Sequence, residues 1–146
     1  MAISTLPRGI RNNNPLNLRI SNNPWLGKVT HNTDGAFEQF TTMEYGIRAA
    51  MRNVKTIVQR RAKQGQATNV SQLIHVWAPA SDGNNERVYC RTIADKTGIQ
   101  PYDEINIQDK NFFCLLIYGM AYQENGQAIP MGKISSAYVL AFGGKL

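Results

Sequence analysis

Between positions 109 and 126 the chain reads DKNFFCLLIYGMAYQENG, and from Phe112 to Tyr122 it is apolar on nearly every side of a helix. Asp109 or Asn111 can cap the start, and Asn125-Gly126 supply a left-handed stop, so the stretch predicts one buried central helix near the C-terminus. Upstream, Ile47, Ala50, Met51, Val54, Ile57 and Val58 recur at three-and-four spacing. They predict a helix opened by a capping box, with Thr41 accepting from the backbone of Glu44, and ended by a basic turn at 60–63. Val70, Leu73, Ile74 and Trp77 form the apolar face of a shorter helix, opened by Thr68 or Asn69 and stopped by Pro79. A further helix, capped by Asn84 or Asn85, carries Val88, Tyr89 and Ile93 and ends at Gly98, and 134–142 predicts a closing helix before Gly143-Gly144.

The first forty residues follow a different period. Leu16, Leu18 and Ile20 alternate with Asn17 and Arg19, which predicts a short half-buried strand. Residues 26–31 and 36–40 flank Asn32-Thr33-Asp34-Gly35, a hairpin signal because Asp-Gly supplies the positive φ values of a tight turn. Three asparagines before Pro15 suit a surface turn. The expected class is therefore α+β, mostly helical, with a small antiparallel β-hairpin near the N-terminus. Residues 1–8 read as a flexible arm and 9–146 as a single domain, since the length supports one sizeable core and no linker interrupts it.

Sixteen Lys and Arg against ten Asp and Glu give a net charge of +6, which favours a polyanionic partner: nucleic acid, an anionic membrane face or an acidic bacterial wall. The first residues lack the basic start and apolar core of a signal peptide, and no apolar run reaches the roughly 18 residues of a membrane span. The expectation is a soluble product made in the cytoplasm. Cys90 and Cys114 both lie in apolar helical settings and are expected as buried free thiols.

Candidate chemistry centres on Glu124, the only carboxylate of the central helix beyond its first turn. The negative end of the helix dipole and nearby apolar surface both disfavour its charged form, so it holds its proton as a general acid must. Of the competing classes, a zinc peptidase or amidase is poorly served by His31 and His75, which have no metal-binding spacing. A thiol site at Cys90 or Cys114 lacks a nucleophile context. A noncatalytic glycan- or nucleic-acid-binding module fits the charge, but the basic residues are spread along the chain and no recognition helix stands out.

Several segments taken together resemble phage-type peptidoglycan hydrolases: residues 9–19 (GIRNNNPLNLR), Trp25-Leu26-Gly27, 37–40, 43–49, Trp77-Ala78-Pro79 and 120–126. At Ala80-Ser81-Asp82-Gly83 the chain departs from that pattern, where relatives show a second proline and a glutamate. The resemblance implies a lysozyme-like domain, circularly permuted because the helix carrying Glu124 follows the Asn-rich segment instead of preceding it. It further implies cleavage of the β-1,4 bond between N-acetylmuramic acid and N-acetylglucosamine, as a lytic transglycosylase or muramidase. Glu124 would be the acid, Glu38 or Asp34 the second carboxylate, with Glu44 behind them. Asn14, Asn17, Arg19, Trp25 and Glu44 would contact substrate, and Trp77 would serve the core. No cofactor or metal is required. The expected partner is bacterial peptidoglycan, reached at lysis or from the virion, and nucleic acid is not favoured; a monomer is expected.

Overall fold

A computed structural model describes residues 5–143. It contains six α-helices: α1 (Arg8–Arg11), α2 (Met43–Lys63), α3 (Val70–Trp77), α4 (Glu86–Thr97), α5 (Lys110–Asn125) and α6 (Met131–Phe142). Helix α5 packs against α4 on one side and α6 on the other, α6 lies along α2, and α3 leans on α4. Helix caps follow from short polar side chains satisfying orphan N–H groups. Asn69 accepts from Gln72 N in a full capping box, Asn85 from Val88 N, and Asp109 from Phe112 N. At α2 the cap is Thr42, which accepts from Tyr45 N, not the expected Thr41–Glu44 box; the Thr41 N–H is already bonded to Gly27 O.

The α+β expectation is overturned. No β-strand occurs among the described residues, and the predicted hairpin is absent; the first forty residues contribute only the isolated antiparallel bridges Arg19–Phe37 and Lys28–Phe40. Backbone pairing is limited to a few bonds, such as Ile20 N to Ala36 O, Glu38 N to Leu18 O and Val29 N to Gln39 O, and side chains have taken other backbone groups that a longer ladder would need. Asp34 accepts from the N–H of Ala36 and Phe37, Asn32 from that of Asp34 and Gly35, and Asn14 donates to the carbonyls of Leu18 and Glu38. The predicted strand at 16–20 is broken at Asn17, whose φ of 55° is left-handed. Leu16 and Leu18 are buried as the alternation required, but Ile20 is exposed. The lysozyme-like α+β architecture implied by the resemblance is thus not the fold of this chain.

The asparagine run is not a surface turn either. Asn12 bridges Asp34 and Gln39, Asn13 donates to Phe40 O, and Asn14 is wholly buried. These bonds staple residues 12–18 to the loop at 34–40, and two glycines let the segment sit close to the helices. A Cβ on Gly46 would collide with the Asn13 carbonyl, and one on Gly9 would come within 2.6 Å of Asn125 Oδ1 and 3.0 Å of Asn17 Oδ1. Of the expected flexible arm, residues 1–4 lie outside the described residues, as does Gly144, while Arg8 already belongs to α1 and is paired with Asp34. Cys90 and Cys114 are free and buried, and burial pushes both thiols above their ordinary pKa. No helix among the described residues is long and apolar enough to cross a membrane.

Candidate active site

Helix α5 is apolar on the faces that meet α4 and α6, with Leu116, Ile117 and Met120 fully buried, and this packing fixes its last turn. Gly119 lets α4 approach so closely that a Cβ there would stand 3.2 Å from Ile93 Cα. On the last turn Asn125 donates to Pro15 O and Ala121 O, both at 2.8 Å, tying the end of α5 to the Asn-rich segment. Glu124, one residue earlier, is held from both sides. Asn17 Nδ2 donates to its Oε1 at 3.0 Å and the Tyr89 hydroxyl, from α4, donates to its Oε2 at 2.8 Å.

Burial pushes the Glu124 carboxyl above its ordinary pKa, opposed by the Asn17 amide and Tyr89 hydroxyl, which bond to the charged form. Tyr89 itself is almost wholly buried, and burial together with the Glu124 charge drives its phenol far above the ordinary range, so it stays a neutral donor. The result is a carboxyl with a fixed rotamer and a raised proton affinity. Replacing Tyr89 with Phe removes a bond that favours the carboxylate, so the Glu124 pKa is expected to rise further. Titration of the side-chain carboxyl by ¹³C NMR reads this directly; an unchanged or lower value would mean that Tyr89 does not hold the charged form.

Glu124 opens into a groove of about 530 Å³. Asn17, Arg19 and Phe37 line one part of it, and Asn53 and Ile57 of α2, Trp77 at the end of α3, and Asp82 and Asn84 beyond it line another. Arg19 is exposed and lies over the Phe37 ring, 5.2 Å from its centroid. Asn17 and Glu124, 107 positions apart in the chain, therefore form one site. Trp77, expected in the core, packs against it but also faces the groove.

The other nominated residues go elsewhere. Glu38 does not line the groove; its side chain is inaccessible and its Oε2 is 3.0 Å from Lys28 Nζ and 3.2 Å from Ser21 N. Asp34 is gripped by Arg8 at 2.7 and 2.6 Å and by Asn12 at 3.0 Å, and the Arg8 guanidinium, foremost, holds its carboxyl well below the usual range. Neither is free to act as a second carboxylate. Asn14 is spent inside the fold, Glu44 lies 3.9 Å from Lys133 Nζ, and Trp25 borders a separate hollow with Arg48 and Arg52. Among the described residues no cluster of three or more His, Cys, Asp or Glu side chains could hold a metal ion, so no ligand set is nominated.

Sequence reasoning missed Tyr89, which reads as one more apolar helix position, and Asp82. The usable signal for Tyr89 was its hydroxyl, since a buried tyrosine needs a hydrogen-bond partner. No family model matches the chain. Over 127 residues it is 32% identical to Protein P5 of Pseudoalteromonas phage PM2, an alignment that spans 85% of this chain and 74% of that protein.

Proposed function

We propose that this chain, which belongs to the family of Protein P5 of Pseudoalteromonas phage PM2, cuts peptidoglycan glycan strands at the bond between N-acetylmuramic acid and N-acetylglucosamine, with Glu124 as the acid. The observation that carries the reading is the Glu124 carboxyl, raised in pKa by burial, oriented by Asn17 and Tyr89, and open to a groove lined by polar side chains and Trp77. A general acid for a poor leaving group needs a proton retained near neutral pH and a fixed aim. The motif resemblance to phage-type wall hydrolases supports the substrate class, and the net charge of +6 suits an anionic wall. Synthesis in the host cytoplasm, with release at lysis or carriage in the virion, fits this reading.

A two-carboxylate hydrolase needs a partner about 5–9.5 Å from the acid, and both Glu38 and Asp34 are committed to structural bonds. The geometry therefore favours a single-acid route. Glu124 protonates the glycosidic oxygen as the bond to C1 breaks; its carboxylate then takes the proton of the muramyl 6-hydroxyl as that oxygen closes on C1, leaving an anhydro end and consuming no water. The competing route rests on Asp82, a carboxylate that lines the same groove.

Mass spectrometry of digested purified walls separates the two. Anhydro-muramic ends are expected, with Asp82→Asn retaining activity within a few fold. Reducing ends together with a hundredfold loss in Asp82→Asn would assign hydrolysis with Asp82 as second carboxylate. Release of peptides alone would remove the glycosidase reading.

A further inference from the structure

Beside the entry to α2 lies a second hollow of about 350 Å³, which shares no lining residue with the Glu124 groove. Trp25, Pro24 and Leu26 form its apolar wall, and Arg48 and Arg52 its basic one. The two arginines are one turn apart on α2, where like charges at this spacing repel. No acid relieves them: neither Arg48 nor Arg52 forms an ion pair among the described residues. The covered Nε of Arg48 has no hydrogen-bond partner, and burial together with the Arg52 charge pulls the guanidinium below its ordinary pKa. Arg52 gives one bond, 3.0 Å to Ala141 O at the end of α6. The fold thus brings a half-buried guanidinium, Arg48, and an exposed one, Arg52, to one hollow without a counter-charge, next to an indole that is itself only partly covered.

We propose that this hollow is an oxyanion subsite, separate from the Glu124 groove, that takes a carboxylate of a peptidoglycan stem peptide while the residue bearing it rests against Trp25. Guanidinium donors match the two oxygens of a carboxylate, and an aromatic face accommodates the apolar body of the ligand. One compact hollow with an aromatic wall fits a discrete carboxylate better than a polyphosphate, which needs a row of basic groups tracking its backbone. The assignment of the carboxylate to a wall peptide rests on the proposed function; the oxyanion site does not.

The chain has two tryptophans, so its two indole N–H signals can be assigned by substitution and followed by ¹H–¹⁵N NMR in the whole protein. With muramyl dipeptide as probe, a saturable shift of the Trp25 signal is expected, weakened about tenfold in Arg48→Gln, which corresponds to about 1.4 kcal/mol, and partly restored in Arg48→Lys. The dipeptide with its carboxylate amidated should bind the native protein as weakly as the free acid binds Arg48→Gln. Melting curves of each variant check the fold, and Arg48 is chosen because Arg52 also holds the end of α6. Equal affinity in Arg48→Gln, or no saturable shift, would overturn the site. Inorganic phosphate binding more tightly than the dipeptide, with the same arginine dependence, would overturn the wall-peptide assignment. The measurement uses no cleavage, so it stands if Glu124→Gln leaves wall digestion intact and the glycosidase reading falls.

Discussion

Glu124→Gln is expected to lose wall cleavage by about 10²–10⁴, the usual contribution of a positioned general acid, while melting at or above the native temperature at neutral pH. The amide keeps the shape of the carboxyl. The Tyr89 hydroxyl, which donates to Oε2, can turn to accept from the new amide, so the site stays bonded. The stability effect has a definite sign. Burial raises the pKa of Glu124 in the folded state, so the folded chain holds this proton more tightly than the unfolded one, and ionisation, wherever it occurs, weakens the fold. Glutamine removes that penalty. The gain is full above the raised folded pKa and vanishes as pH falls below the ordinary glutamate value of about 4.3, where both states are protonated. Turbidity loss of purified walls and melting curves from pH 4 to 8 read the two effects separately. A variant that digests walls at the native rate would sink the single-acid mechanism. A gain in stability that grew towards low pH would contradict the burial argument.

Helices α2 to α5 were legible because two independent signals agreed on each: apolar positions at helical spacing and a capping side chain at its start. Asn69, Asn85 and Asp109, each one of two caps nominated for its helix, cap α3, α4 and α5, and α2 is capped one residue away, at Thr42; α6 begins at Met131, ahead of the expected 134, and the short α1 was not expected. The segment at 16–40 failed for a physical reason. Alternating apolar residues describe a buried Leu16 and Leu18 equally well whether their backbone pairs with a strand or with side-chain amides, and asparagines and aspartates supply the second arrangement. At the site, Glu124 stood out as a lone carboxylate ending an apolar helix, and its contact with Asn17 joins the two segments that the motifs singled out. Glu38 did not betray its burial, because a charged residue between two phenylalanines of a turn-rich stretch reads as a solvated position; its pairing with Lys28 depends on a tertiary contact that periodicity does not encode.

Asp34→Ala is expected to lower the melting temperature by roughly 5–10 °C, corresponding to about 2 kcal/mol for a domain of this size. The carboxylate accepts two hydrogen bonds from Arg8, one from Asn12 and those of the Ala36 and Phe37 backbone N–H groups, so its removal leaves the turn at 34–37 without a cap and frees residues 8–12. The two backbone bonds resemble a helix N-cap, for which loss to alanine costs about 0.5–2 kcal/mol. The Arg8 pair adds less, because that arginine side chain is 46% exposed and water screens it. Because Arg8 and the other donors hold the folded-state pKa below its unfolded value, the stabilisation is present above an ordinary aspartate pKa of about 3.9 and is lost as pH falls through the folded value. Native protein should therefore lose its advantage over Asp34→Ala progressively below pH 4. Asp34→Asn, which keeps one acceptor oxygen, should melt between the two and still digest walls when assayed below its melting temperature. A hundredfold loss of cleavage in Asp34→Asn with an unchanged melting temperature would instead make this carboxylate a participant in the reaction, and would require Asp34 to leave Arg8 and turn towards the Glu124 groove, which Phe37 of the same loop already borders.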